Sequence, residues 1–99
     1  MKELAKLPLE FLTDIEKAIE ILKDAGCKEI YIFGSLASGT YNENSDIDLA
    51  VKGCSPEMYF SLLGQLLITL SRPVDLINLD RDDTFSRYIE KEGELYRVS

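Results

Sequence analysis

Apolar residues recur at spacings of three and four between Leu9 and Ala25, as on one face of an amphipathic helix. The positions that share this face are Phe11, Leu12, Ile15, Ala18, Ile19 and Leu22. Pro8 is compatible with the start of a helix, and Gly26 is suited to end one. The pattern therefore predicts a first helix over about residues 9–25.

Three short apolar runs are typical of strands, at about Glu29–Phe33, Asp46–Val51 and Val74–Leu79. A second amphipathic helix is predicted between the last two of these runs. Ser55-Pro56 supplies its N-cap and first turn, and Arg72-Pro73 ends it. Its leucines are expected in the core, and any apolar face left exposed is expected to bind a partner.

The end of the chain predicts one more helix and a short strand. Asp82 or Asp83 is expected to cap the helix, Gly93 to end it, and residues 95–98 to form the strand. The order is then α-β-α(short)-β-α-β-α-β. This order predicts the α+β class, a small mixed β-sheet with helices packed on it, in a single domain over residues 1–99.

The charge balance narrows the choice of partners. Eighteen acidic residues against eleven basic ones give a formal net charge of −7, and the basic residues are scattered. Because a negative surface is repelled by phosphate backbones, direct nucleic-acid binding is not expected. No apolar run reaches the roughly 20 residues of a membrane span, and no secretory signal is recognisable. We therefore expect a cytoplasmic protein with no membrane contact.

Cysteine and histidine usage limits the chemistry. Cys27 and Cys54 do not form a metal-binding pair, and the chain contains no histidine to complete a zinc site. Both cysteines are expected to be reduced and mostly structural. Without histidine, serine–histidine and cysteine–histidine nucleophiles are excluded. Any catalysis must therefore use carboxylates, a metal ion or backbone dipoles.

Asp46 and Asp48 stand two residues apart in the second predicted strand. Side chains alternate along a strand, so both carboxylates project from one face while Ile47 and Leu49 project from the other. Adjacent carboxylates offer the hard oxygen ligands that Mg²⁺ prefers. The alternative is a solvated strand edge, which Asp-x-Asp alone does not distinguish from a metal site.

Gly34-Ser35 follows the first predicted strand at the point where a short helix begins. A glycine there allows the backbone to approach a ligand closely, and free amides at the helix start suit a phosphate. The same dipeptide also occurs in ordinary strand-to-helix turns. Its meaning depends on Asp46 and Asp48, which follow twelve and fourteen residues after Gly34.

Asp75 interrupts an otherwise apolar strand, where aspartate is unfavourable. A neighbouring strand is expected to place it beside Asp46 and Asp48. There it would complete a metal-binding carboxylate set or accept a proton from an attacking hydroxyl. A local role at the start of the strand is the alternative.

The run of Gly34-Ser35, Gly39 and Ser45-Asp46-Ile47-Asp48, preceded by Ile30–Phe33 and followed by Leu49-Ala50-Val51, resembles the DNA polymerase β type nucleotidyltransferases. The short length and the Val74–Ile77 strand resemble the minimal members of that superfamily. The resemblance covers nearly the whole chain.

This resemblance implies a polymerase β-like fold, with Gly34 and Ser35 holding the triphosphate of ATP or another nucleoside triphosphate. It also implies that Asp46, Asp48 and Asp75 bind Mg²⁺ and act in catalysis. Minimal members are often the antitoxins of helical HEPN-type ribonuclease toxins, and some adenylylate a tyrosine of the toxin. The resemblance therefore implies transfer of a nucleotide to a hydroxyl of a partner protein, in a homo- or hetero-oligomer.

The chain departs from the family pattern at Ser38, where many minimal members have arginine. Losing that guanidinium removes a charge-assisted contact worth about 1.5–3 kcal/mol. This departure favours a rival function, in which the chain neutralises a partner by covering its active site. A transferase acting on a small molecule is a third possibility, which the absence of room for a substrate domain disfavours.

Overall fold

The computed structural model describes residues 7–81, 84–92 and 95–99. Its helices are α1 (Leu9–Asp24), α2 (Ser35–Ser38), α3 (Tyr59–Thr69) and α4 (Thr84–Glu92), with a 3₁₀ turn at Pro56–Met58. Its strands are β1 (Glu29–Phe33), β2 (Ile47–Lys52), β3 (Val74–Asn78) and β4 (Tyr96–Arg97). The element order confirms the predicted one.

The four strands form one mixed sheet in the order β3-β2-β1-β4. β1 is antiparallel to both β2 and β4, whereas β2 and β3 are parallel. A parallel pair needs a crossover, which α3 provides between β2 and β3. This arrangement confirms the predicted α+β class with a small mixed sheet.

The sheet separates two apolar clusters. On one face, residues such as Ile30, Leu49 and Leu76 pack against α1 and α3 in the main core. On the other face, a smaller cluster contains Phe33, Ala50, Leu79 and Ile89, the last of which belongs to α4. Because both faces are partly covered, the central strands β1 and β2 contain buried residues in near-continuous runs.

Helix α1 forms as its periodicity predicts. Phe11, Ile15, Ala18 and Leu22 are buried along one face. Gly26 follows the helix with φ of 93°, a left-handed conformation that ends it as expected. The helix also buries Asp14, a carboxylate that the apolar pattern did not predict in the core.

Helix α3 differs from its prediction at both ends. Ser55 makes no side-chain cap, and a 3₁₀ turn precedes the α-helix that begins at Tyr59. The helix ends at Thr69 rather than at Arg72-Pro73, because both the amide and the hydroxyl of Ser71 donate hydrogen bonds to the Asp14 carboxylate. That buried acceptor takes the chain out of the helical path.

Several sequence expectations concern residues outside the described part of the chain. The proposed caps Asp82 and Asp83 and the proposed helix end at Gly93 all lie there. The final strand is present but short, at Tyr96–Arg97. None of the helices in the described ranges is long and apolar enough to cross a bilayer.

The expectation that both cysteines are reduced is wrong, because Cys27 and Cys54 form a disulfide. The antiparallel register pairs Glu29 with Lys52, and continuing it outward by two residues brings Cys27 opposite Cys54. The bond therefore ties the start of β1 to the end of β2. Sequence spacing alone did not reveal this register.

We predict that removing this disulfide destabilises the fold by about 2–4 kcal/mol, because the bond restricts the unfolded chain across a separation of 27 residues. The measurement is urea denaturation of the wild type and of a Cys27→Ser, Cys54→Ser double variant without reductant. In excess dithiothreitol the two proteins should unfold at similar urea concentrations. Equal stabilities without reductant would contradict the prediction.

Candidate active site

Asp48 and Asp75 lie side by side on neighbouring strands. The parallel register of β2 and β3 pairs their Cα atoms directly. Ile47 and Leu49, the neighbours of Asp48 along β2, are fully buried in the main core. Asp48 therefore projects from the opposite face of the sheet, where it is half-buried, while Asp75 is exposed. The structure thus brings together two of the predicted carboxylates.

Asp46 lies one residue before β2 rather than within the strand. The amide of Ile47 donates a hydrogen bond to the Pro73 carbonyl at 2.9 Å, so the pairing with β3 begins immediately after Asp46. Asp46 is exposed, and its charge is close enough to raise the pKa of Asp48. The third predicted carboxylate therefore belongs to the same electrostatic cluster.

The pKa of Asp48 is raised from 3.8 to about 6. Burial is the largest cause, followed by the negative charges of Asp75 and Asp46 and a hydrogen bond with Asp75. All of these interactions disfavour the ionised carboxylate. A bound cation would reverse this preference, because its charge offsets both the burial and the repulsion.

The donor set fits a hard divalent cation such as Mg²⁺, since all of its side-chain ligands are carboxylate oxygens. As placed, the side chains are not gathered into a closed cage: within residues 7–81, 84–92 and 95–99, no three acidic or cysteine side chains converge on one point. The outer carboxylates of Asp46 and Asp75 are exposed and would turn inward to share an ion with Asp48. Metal binding by these residues stays a prediction.

The Gly34 turn lies directly against Asp48. Phe33, the last residue of β1, pairs with Asp48, and Gly34 follows with φ of 70° and ψ of −145°. This conformation is essentially restricted to glycine. A Cβ atom at Gly34 would also collide with the Oδ2 atom of Asp48. The backbone angles therefore require glycine here, and a side chain at this position would also displace the Asp48 carboxylate.

Helix α2 begins at Ser35, immediately after this turn. Its first internal hydrogen bonds are donated by the amides of Ala37 and Ser38 to the Gly34 carbonyl. The amides of Ser35 and Leu36 come before them, at the N-terminus of the helix. Amides at this position have no acceptor within the helix. These amides are next to the carboxylate cluster, as a site that binds a triphosphate beside a metal ion requires.

The comparison with known families decides the identity of the domain. Residues 16–96, which include every candidate site residue, match the family described as "Polymerase beta, Nucleotidyltransferase". The chain belongs to this nucleotidyltransferase family. The match confirms the resemblance that the sequence motif indicated.

Solved structures similar to this nucleotidyltransferase domain come from toxin–antitoxin systems. One, described as a toxin–antitoxin with AMP-PNP, is 31% identical with a TM-score of 0.64, over 81% of this chain and 69% of that chain. Another, of the toxin–antitoxin MntA–HepT, is 27% identical with a TM-score of 0.61, over 85% of this chain and 69% of that chain. The search of curated proteins found no match.

The nucleotidyltransferase domain departs from the family motif at Ser38. The side chain of Ser38 makes hydrogen bonds within the turn to which it belongs. Its hydroxyl lies 3.4 Å from the Ser35 carbonyl and 2.8 Å from the Thr40 hydroxyl, and the residue is exposed. It contributes no positive charge to the site. The departure therefore removes charge near the turn without disturbing the backbone that forms it.

Sequence reasoning missed Asp14 and the role of Arg72. Asp14 carries a carboxylate, yet it occupies a core-facing position of α1 between Phe11 and Ile15. Only 2% of its surface is exposed. Its Oδ2 atom lies 3.7 Å from Nε of Arg72. A carboxylate on the apolar face of a predicted helix was the available signal, and its partner was separated by almost sixty positions.

We predict that Asp48→Asn stabilises the metal-free protein at pH 7.5 by about 1–2 kcal/mol. Each unit of pKa shift corresponds to 1.36 kcal/mol, reduced here because the carboxylate is partly exposed. The folded protein binds the Asp48 proton more tightly than the unfolded chain does. The wild type should therefore lose stability as pH rises from about 3.8 to about 6.

The measurement is urea denaturation of both proteins at several pH values with EDTA present. The advantage of Asp48→Asn should be small near pH 4 and complete above pH 6. Glu16→Gln, which removes an exposed charge on α1, serves as the control. An advantage independent of pH would show that charge burial at Asp48 is not its cause.

We predict that Gly34→Ala both destabilises the fold and weakens cation binding. The backbone conformation costs about 1–3 kcal/mol for alanine, and the added methyl group displaces the Asp48 carboxylate. Gly26→Ala is the matched control, because its φ is 93° but no atom lies within 4 Å of the added Cβ.

Urea denaturation and Mn²⁺ titration of both variants separate the two effects. Both should lose stability, and only Gly34→Ala should lose Mn²⁺ affinity. Retention of wild-type Mn²⁺ affinity by Gly34→Ala would contradict the assigned contact.

Proposed function

We propose that this domain is a Mg²⁺-dependent nucleotidyltransferase that moves AMP from ATP to a hydroxyl of a partner protein. In this proposal it is the antitoxin of a HEPN-type ribonuclease toxin. The observation that carries the proposal is the pairing of Asp48 with Asp75 directly beside the Gly34 turn. A carboxylate pair next to a glycine turn is suited to bind a metal-complexed triphosphate.

Each site residue has a role in this reaction. The amides after Gly34 and the Ser35 hydroxyl would bind the outgoing phosphates, while Asp46, Asp48 and Asp75 would bind Mg²⁺. The ion would offset phosphate charge and lower the pKa of the acceptor hydroxyl. The acceptor oxygen forms a bond to the α-phosphorus, the bond to the bridging oxygen breaks, and pyrophosphate leaves. The exposed Asp75 completes the ligand set or accepts the hydroxyl proton.

ATP is the proposed donor because a similar protein binds a related nucleotide. The 31% identical toxin–antitoxin structure was determined with AMP-PNP, an analogue of ATP. The matched region includes the larger part of both chains. This similarity supports an adenine nucleotide over other triphosphates.

A partner protein is the proposed source of the acceptor. The structural neighbours belong to toxin–antitoxin systems, which supports a toxin as the partner. Helix α3 also exposes an apolar face on which Phe60 and Ile68 are 81% and 87% exposed and Leu67 is 51% exposed. The spacing of these residues places them on one side of the helix. Exposed apolar faces of this kind favour a protein contact.

A second candidate function is neutralisation by occlusion without chemistry. The uncharged Ser38, whose hydroxyl bonds only within its own turn, favours this alternative. Under occlusion, the α3 face alone would cover the toxin and the carboxylates would be dispensable.

The test is transfer of label from ATP in an extract of the source organism with Mg²⁺. We predict that a protein is labelled from α-labelled ATP, that γ-labelled ATP gives no label, and that Asp48→Asn abolishes the transfer. The loss should exceed 100-fold, because the half-buried ligand is removed. Labelling from the γ position would indicate phosphoryl transfer instead and contradict the proposal.

An Asp46→Asn, Asp48→Asn double variant distinguishes occlusion from nucleotide transfer. The variant is combined with the co-purifying partner, and neutralisation of the partner is measured. Loss of neutralisation in this variant supports the chemical mechanism. Full neutralisation by the variant, with no α-label transferred by the wild type, would overturn the proposed transfer and leave occlusion.

A further inference from the structure

The segment before Asp46 is an ordered turn, although it is polar. The amide of Asn44 donates to the side-chain Oδ1 of Asn42 at 2.7 Å. The amide of Ser45 donates to the Asn42 carbonyl at 3.0 Å, and the amide of Asn42 donates to the Ser45 hydroxyl at 2.8 Å. We call residues 41–45 the carboxylate loop, because it delivers the chain to Asp46. Asparagine side chains commonly organise turns in this way.

Arg72 attaches the carboxylate loop to the rest of the molecule. Its Nη1 atom donates to the carbonyl of Glu43 at 3.1 Å and lies 3.4 Å from the carbonyl of Ser45. The next residue, Pro73, accepts the amide of Ile47 at 2.9 Å. The peptide groups on both sides of Asp46 are therefore held by two consecutive residues.

The guanidinium of Arg72 is itself held in place. It lies 3.9 Å above the ring of Phe11, and only 13% of its side chain is exposed. Its Nη2 atom lies 3.8 Å from Glu10, and its Nε atom lies 3.7 Å from the buried Asp14. A planar guanidinium can stack on a ring and donate at its edges at the same time, which a lysine ammonium cannot do.

The anchor continues into α1 and into the segment that follows α3. Asp14 accepts hydrogen bonds from the amide of Ser71 at 3.2 Å and from its hydroxyl at 2.6 Å. Tyr41, at the start of the carboxylate loop, packs its ring edge-on against Phe11 with centroids 5.6 Å apart. Tyr41 therefore fixes the start of the loop to α1, and Arg72, stacked on Phe11, fixes its end.

We propose that Arg72 is a positioning residue for Asp46: it fixes the backbone of Asp46 at a point from which that carboxylate turns inward to share a cation with Asp48 and Asp75. This inference rests on the proposed metal site, and Arg72 itself lies behind the loop rather than among the carboxylates. Groups that orient a metal ligand typically change metal affinity or activity by 10–100-fold when removed. Arg72 acts in this way through the backbone on the amino side of Asp46.

The experiment compares Arg72→Ala and Arg72→Lys with the wild type by two readouts. The first is the set of backbone NMR order parameters at residues 43–46, measured without metal. The second is the dissociation constant for Mn²⁺ alone, measured by electron paramagnetic resonance. Glu10→Gln is the matched control, because it removes an exposed partner of the same guanidinium without touching the loop.

In both Arg72 variants, the order parameters of residues 43–46 should fall toward about 0.6 or below. The Mn²⁺ dissociation constant should rise roughly tenfold or more. Arg72→Lys should change both readouts as Arg72→Ala does. A lysine keeps the positive charge but cannot stack on Phe11 and donate to the loop carbonyls at the same time. Glu10→Gln should leave both readouts unchanged. All measurements are made well below the melting temperature of each variant.

Three results would overturn the inference. Unchanged order parameters in Arg72→Ala would show that Arg72 does not hold the loop. Lower order parameters with wild-type Mn²⁺ affinity would show that holding the loop does not position a metal ligand. Absence of Mn²⁺ binding by the wild type would overturn the proposed metal site itself, and the order parameters distinguish that failure from the first.

Discussion

The parallel pairing of β2 with β3 is the constraint on which the site depends. It places Asp48 and Asp75 at the same level of the sheet, where their charges repel each other and raise the pKa of Asp48. The sheet maintains this contact because the residues on either side of Asp48 are fully buried on the opposite face. Core packing therefore stabilises a local arrangement that is electrostatically unfavourable without a cation, as functional sites commonly require.

The other parts of the site are organised around the same contact. The antiparallel pairing of β1 and β2 brings the Gly34 turn against Asp48, where an added Cβ atom would displace the Asp48 carboxylate. On the opposite side, Arg72 and Pro73 fix the peptide groups around Asp46. The backbone of the Gly34 turn and the backbone that carries Asp46 and Asp48 thus have fixed relative positions.

Much of this arrangement was predictable from the sequence because it depends on local periodicity. The apolar spacing in α1 and the runs in β1 and β2 specified their elements within one or two residues. Asp46, Asp48 and Asp75 were recognisable because charged residues in apolar strands need a special reason. The fold class and the family are confirmed, whereas the metal and phosphate roles of the site residues stay predictions.

The features that sequence reasoning missed depend on contacts between distant parts of the chain. The Cys27–Cys54 bond requires the register of two strands, which the cysteine spacing does not encode. The end of α3 depends on Asp14, a residue 57 positions before Ser71. The role of Arg72 requires the ring of Phe11 beneath it and the carbonyls of the carboxylate loop beside it. Propensity and periodicity contain no information about such pairs.

The disulfide also has a topological consequence. It closes a covalent ring that contains β1, the Gly34 turn, the carboxylate loop and β2. Gly34, Ser35, Asp46 and Asp48 are all members of this ring. A single break in the backbone between Cys27 and Cys54 would therefore leave one connected molecule with both halves of the ring attached. Asp75 lies outside the ring: the backbone that leaves Cys54 through α3 connects it covalently, and the pairing of β3 with β2 holds it beside Asp48.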